Sequence, residues 1–114
     1  KGIVMIRIKL PAQIKIGGFD YAILIGKEVG EELRAKEVWG DQSGTFKRIR
    51  LDDTASEQQF SQTALHELLH AVEGVWGRGE LLTEGQVSYV ANGLFQIFEQ
   101  LGVRLCTRKE ETER

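Results

Sequence analysis

Both histidines of the chain fall in one pentapeptide, His66-Glu67-Leu68-Leu69-His70. A helix advances ~100° per residue, so positions i and i+4 stand one above the other, and two imidazoles at this spacing can share one metal ion. The glutamate between them points about a quarter turn away, too far round to ligate the same ion but close enough to reach a water held by it. This is the donor pattern of zinc-dependent hydrolysis. Zinc lowers the pKa of a water it binds to ~7 and polarises a carbonyl, and Glu67 is placed to take the water's proton and return it to a leaving amine.

A hydrolytic zinc takes three protein ligands and keeps a position for water. No third histidine exists, so the remaining ligand is a carboxylate or Cys106. Chain order separates the candidates. The helix carrying the pair is expected over about 56–74, opened by the capping-box pattern Thr54-Ala55-Ser56-Glu57. Gly74, Gly77 and Gly79 then reverse the chain. Thr83-Glu84-Gly85-Gln86 caps a second helix over about 84–101, with Leu82 and Val87 spaced as a hydrophobic staple. In an antiparallel pair Glu84 comes level with His70. Glu73 lies one turn beyond His70 on a diverging face, Glu80 lies in the loop, and Cys106 follows the far end of the second helix. Glu84 also suits the positive end of a helix as a plain first-turn acid, but on position it is the expected third ligand.

The elements that must hold this site read as follows. Ile3 to Leu10 alternates toward its end and stops at Pro11, as a strand would. Gln13 to Gly17 and Phe19 to Ile25 flank the turn signal Gly17-Gly18. Lys36 to Gly40 and Thr45 to Leu51 flank Asp41-Gln42-Ser43-Gly44, predicting a second hairpin, and Glu28 to Ala35 between them suits a short helix. On the first long helix the apolar positions centre near Leu68 and Val72, with both histidines on the opposite side. The second helix carries Val87, Val90, Ala91, Leu94, Ile97, Phe98 and Leu101 at helical spacing. Trp39, Trp76, Phe60, Phe95 and Phe98 are expected in or over the core, and Lys47, Arg48 and Arg50 on a solvated strand face. The fold class is α+β: a small twisted, mostly antiparallel sheet followed by an active-site helix and a returning helix.

Composition bounds the rest. With 114 residues the chain suits one domain, assigned to 1–106, and a charged tail over 107–114 expected to fray. A formal charge of −2 and a pI near 5.7 provide no basic field for a phosphate backbone, so nucleic acid is not an expected partner. No apolar run approaches the ~18 residues of a membrane span, and the first ten residues lack a signal-peptide pattern. One cysteine makes no internal disulfide and fits a reducing compartment, so a cytoplasmic protein is expected.

The HELLH motif, the glutamate opening the next helix and the continuation VSYVANGLFQIF over residues 87–98 resemble the compact ImmA/IrrE-like metallopeptidases of bacteria, phages and mobile elements, and more broadly the minimal gluzincins. The resemblance covers roughly residues 14–102. It implies a zincin-like fold, His66, His70 and Glu84 on zinc, Glu67 as general base, and a narrow protein or peptide target bound as an extended segment. Thirteen residues separate His70 from Glu84, fewer than in many gluzincins. The zincins also imply that the strand before the active-site helix, Phe46 to Leu51, borders the cleft and pairs with substrate, with Lys47, Arg48 or Arg50 able to favour acidic segments. For the group that stabilises the developing oxyanion, Tyr89, Tyr21 and Arg78 stay open, Tyr89 being expected to pack. A non-catalytic or latent zinc-stabilised regulatory module is the alternative to a peptidase.

Overall fold

The computed structural model describes residues 4–108. Its order is β1 (Ile6–Lys9), β2 (Gln13–Ile16), β3 (Phe19–Ile25), α1 (Lys27–Ala35), β4 (Gly40–Ser43), β5 (Arg48–Leu51), α2 (Glu57–Trp76), α3 (Glu84–Leu101) and β6 (Val103–Cys106). The class is α+β. Four strands form one sheet in the order β2-β3-β5-β4, and β1 pairs with β6 in a second.

The first hairpin forms as its glycine turn predicts, with Ile16 opposite Phe19. Two of the three pairings in the four-stranded sheet are antiparallel, in keeping with a mostly antiparallel sheet, and the third, β3 beside β5, is parallel; β1 also runs parallel to β6. A parallel pair cannot be closed by a tight turn, and α1 supplies the crossover between β3 and the β4–β5 hairpin. That hairpin is displaced from the expected one. β4 occupies Gly40–Ser43, the place expected for the turn, and the reversal falls at 44–47, where Lys47 takes a left-handed φ of 53°. β6, after the helices, is also additional to the expected order.

Alternation on β5 sends Ile49 and Leu51 into the core, where they meet Ile16, Tyr21, Ile23, Phe60, Ala64 and Ala71 between the sheet and α2. Burying an aliphatic side chain of this size contributes about 1.5–3 kcal/mol, so this cluster fixes how α2 lies on the sheet. Helix and sheet come close: a Cβ at Gly40 would sit 2.7 Å from Thr63 Cγ2 and 3.0 Å from the Arg50 carbonyl. Only glycine lets β4 approach α2 at this point.

α2 begins at Ser56, whose hydroxyl accepts from Gln59 N at 3.1 Å, rather than at Thr54. Thr54 instead donates to buried Asp52, which also takes Arg34 at 2.8 Å. α3 carries the full capping box between Thr83 and Gln86. Its buried residues are Val87 and Ala91, whereas Val90, Ile97 and Leu101 of the expected stripe are exposed. Arg108, expected in the frayed tail, donates to the Ile23 carbonyl at 2.8 Å; residues 109–114 of that tail lie outside the described residues. No helix among the described residues is long and apolar enough to cross a membrane.

Candidate metal centre

α2 holds His66 and His70 one turn apart, and the 77–82 segment returns the chain so that α3 opens beside them. His66 Nε2 lies 3.1 Å from His70 Nε2. Glu84 completes the triangle, with Oε2 3.1 Å from His66 Nε2 and Oε1 2.8 Å from His70 Nε2. These residues are the one such group among those described that could hold a metal ion. Donors ~2.0–2.1 Å from a tetrahedral ion stand ~3.3 Å apart; here each histidine nitrogen lies 2.8–3.1 Å from its nearest Glu84 oxygen, and one donor atom from each of the three residues falls within 4.8 Å of the others. The chemistry of the donors fits as well. Burial, with neighbouring His70, lowers the His66 pKa and favours the neutral ring that ligates a metal. Glu84 keeps 69% of its side chain exposed, which leaves the site open on that side.

Glu67 sits apart from the triangle, only 8% exposed. Of the expected apolar centre Leu68 packs against the core and Val72 is exposed, and Glu67 is buried in one row at helical spacing with Phe60, Ala64 and Ala71. The acid therefore occupies a core-facing row. Burial pushes its carboxyl up to about 7, with the negative charges of Asp41 and Glu84 adding to the shift. A carboxyl poised near neutrality can both take and return a proton.

The triangle and Glu67 line a cleft of about 580 Å³. Its opposite wall is the terminal strand β4, contributing Gly40, Asp41 and Gln42 beside Trp39. β5 is internal, bonded on both sides, and so cannot be the strand that borders the cleft. One of its two arginines is also engaged in ion pairs. Arg50 binds Asp41 through Nε at 2.9 Å and Nη2 at 2.6 Å, and reaches Glu32 at 2.7 Å, so it is not a solvated cation. Arg50 first, then Lys36, which donates to Asp41 at 2.8 Å, hold the Asp41 pKa down at about 2 against the effect of burial.

Other expected residues go elsewhere. Tyr21 is buried in the core, Tyr89 is 82% exposed rather than packed, and neither these nor Arg78 line the cleft. Trp39 is partly exposed on the cleft wall and Trp76 is exposed, so neither belongs to the core. Cys106 is buried on β6, outside the donor group, and Glu80 is exposed in the loop. Glu73 is buried, with its carboxylate on the backbone of the loop. Sequence reasoning missed the amide lining of the cleft, Gln59, Gln62 and Asn92. Helical spacing puts Gln59, Gln62 and His66 on adjoining turns, the one signal that points to the first two. Comparison of the chain with protein-family models, with curated proteins and with solved structures returned no match.

Proposed function

We propose that the chain is a zincin-like, zinc-dependent peptidase of the ImmA/IrrE-like type, acting on an extended segment of a protein or peptide. The observation that carries this reading is the placement of buried Glu67 next to the triangle of His66, His70 and Glu84, at the floor of an open cleft. A purely structural zinc site closes with four protein ligands and has no use for such a base.

Two neutral imidazoles and one carboxylate suit zinc, which when bound lowers the pKa of a water and polarises a carbonyl. His66, His70 and Glu84 would hold the ion. Glu67 takes the proton as the water oxygen attacks the amide carbon, and delivers it to the nitrogen as the C–N bond breaks, so no covalent enzyme intermediate is required. Substrate is held by β4, a terminal strand whose free edge offers backbone N–H and C=O groups to an extended peptide.

The test is metal analysis of protein purified without a metal-affinity tag, together with a screen of unstructured peptides for cleavage. The expected result is about one zinc per chain and cleavage that disappears on Glu67→Gln. Stoichiometric zinc without cleavage of any peptide in the screen would favour the non-catalytic regulatory module.

A further inference from the structure

Glu73 stands one turn beyond His70 on the metal-bearing helix and is buried. Its carboxylate Oε2 accepts from Leu81 N at 2.7 Å and from Leu82 N at 3.3 Å. Its backbone carbonyl accepts from Gly77 N at 2.7 Å and from Gly79 N at 3.2 Å. One residue thus gathers four backbone donors from the segment that joins α2 to α3. The fit is close: a Cβ at Gly77 would lie 2.6 Å from Glu73 Oε2. The reversal also places Arg78 and Gly79 in left-handed backbone, with φ of 58° and 72°, a conformation that a non-glycine residue such as Arg78 adopts rarely and only when its surroundings enforce it. Leu82 immediately precedes the cap Thr83, which in turn precedes Glu84.

We infer that Glu73 is a positioning residue for the third metal donor, a conclusion that rests on the metal-site reading above. It does not ligate. It ties the start of α3 to the helix that bears the histidines, so that Glu84, otherwise largely solvent-exposed, arrives already aimed at both rings. Partners of this kind, outside the ligand set, characteristically govern metal affinity because they remove the freedom that the ligand would lose on binding.

The test uses the full chain as wild type, Glu73→Ala, Glu73→Gln, Glu84→Ala and the Glu73→Ala/Glu84→Ala double variant. Zinc affinity is measured by chelator competition, and amide exchange at Leu81 and Leu82 is measured without metal. Glu73→Ala is expected to speed exchange at both amides and weaken zinc binding by about 10- to 100-fold. Glu73→Gln, which keeps an acceptor oxygen, recovers most of that loss. In the Glu84→Ala background, removing Glu73 has no further effect on affinity, because the residue acts only through Glu84.

Unchanged affinity in folded Glu73→Ala overturns the inference. So does an equal further loss in the Glu84→Ala background, which would make Glu73 a ligand or a support of the whole fold. If Glu73→Ala does not fold, Glu73→Gln decides: faster exchange at Leu81 with wild-type affinity overturns the inference, and a modest loss that vanishes in the Glu84→Ala background supports it. A wild-type chain that takes up no zinc instead removes the metal reading, and this inference with it.

Discussion

His70 Nε2 and Glu84 Oε1 stand 2.8 Å apart, the shortest separation in the donor triangle, although they belong to different helices joined by a tight reversal. The two histidines are fixed by one rigid helix, whereas the third donor depends on how α3 is docked. Removal of either histidine is therefore expected to abolish tight zinc binding, and Glu84→Ala to weaken it severely. Glu80→Ala and Cys106→Ala should leave it intact. Because donors from two helices come together only in the folded chain, zinc at a hundredfold its Kd is expected to stabilise the wild type by about 2.7 kcal/mol, read as a rise in Tm that chelation reverses. Wild-type affinity in the Glu84 variant would transfer the third ligand to another residue.

Glu67 invites a different experiment, since its place is beside the triangle and not in it. Glu67→Gln keeps shape and burial but cannot carry a proton between water and amine. It is expected to retain zinc and fold while slowing hydrolysis by at least ~10²-fold, the scale of general acid-base catalysis. Loss of zinc in this variant would mean that Glu67 ligates, and full activity would mean that another group moves the proton.

The reach of the sequence can be judged on these residues. Helix ends are local chemistry: the hydroxyl of Thr83 and the amide of Gln86 act within one turn, so α3 is legible from four letters. The motif on α2 is legible for the same reason. The face that α2 buries is largely legible too, since Phe60, Ala64, Leu65 and Ala71 at helical spacing are buried and Leu68 and Val75 pack against the core; what no hydrophobic signal announces is the burial of charged Glu67, or that Val72 is left outside. Long-range pairing is illegible too. Nothing local in Ile6–Lys9 or Val103–Cys106 announces that the two strands lie side by side.

Acid should act on the cleft wall through Asp41. Its pKa is depressed from 3.8 to about 2, first by Arg50, so its contribution to stability is fully present above the unfolded value and is lost as pH falls through the folded one. Between pH 4 and 2 the ion pair is expected to forfeit about 1–2 kcal/mol: a tenfold change in proton affinity is worth ~1.4 kcal/mol, and solvent screening at this partly open wall reduces the total. Asp41→Asn should be less stable at neutral pH and show a shallower decline over the same window, measured by denaturant unfolding. Parallel acid profiles for wild type and variant would show that this carboxylate is not responsible.

For the proposed peptidase, substrate preference is expected to follow from which strand ends the sheet. β4, not β5, is terminal, and the described residues lining the cleft include Asp41, Glu67 and Glu84 but no lysine or arginine. Arg50, the nearest cation on β5, is already bound to Asp41 and Glu32. An acidic segment would therefore find no free lysine or arginine on the wall, where Asp41 is already paired with Arg50 and Lys36, and the preference expected of an exposed basic strand disappears. Neutral amide and hydroxyl side chains suit Gln59, Gln62 and Asn92 better. Recognition by a strand edge reads backbone groups, so a peptide that the chain cleaves should lose kcat/KM on N-methylation at alternate positions flanking the scissile bond and gain nothing from Asp or Glu there. Folded proteins should resist except in flexible loops, which alone can present an extended strand. Cleavage that tolerates N-methylation at every flanking position would show that β4 does not hold the substrate. Faster cleavage of acidic peptides would show that a cation near the cleft is free to receive them.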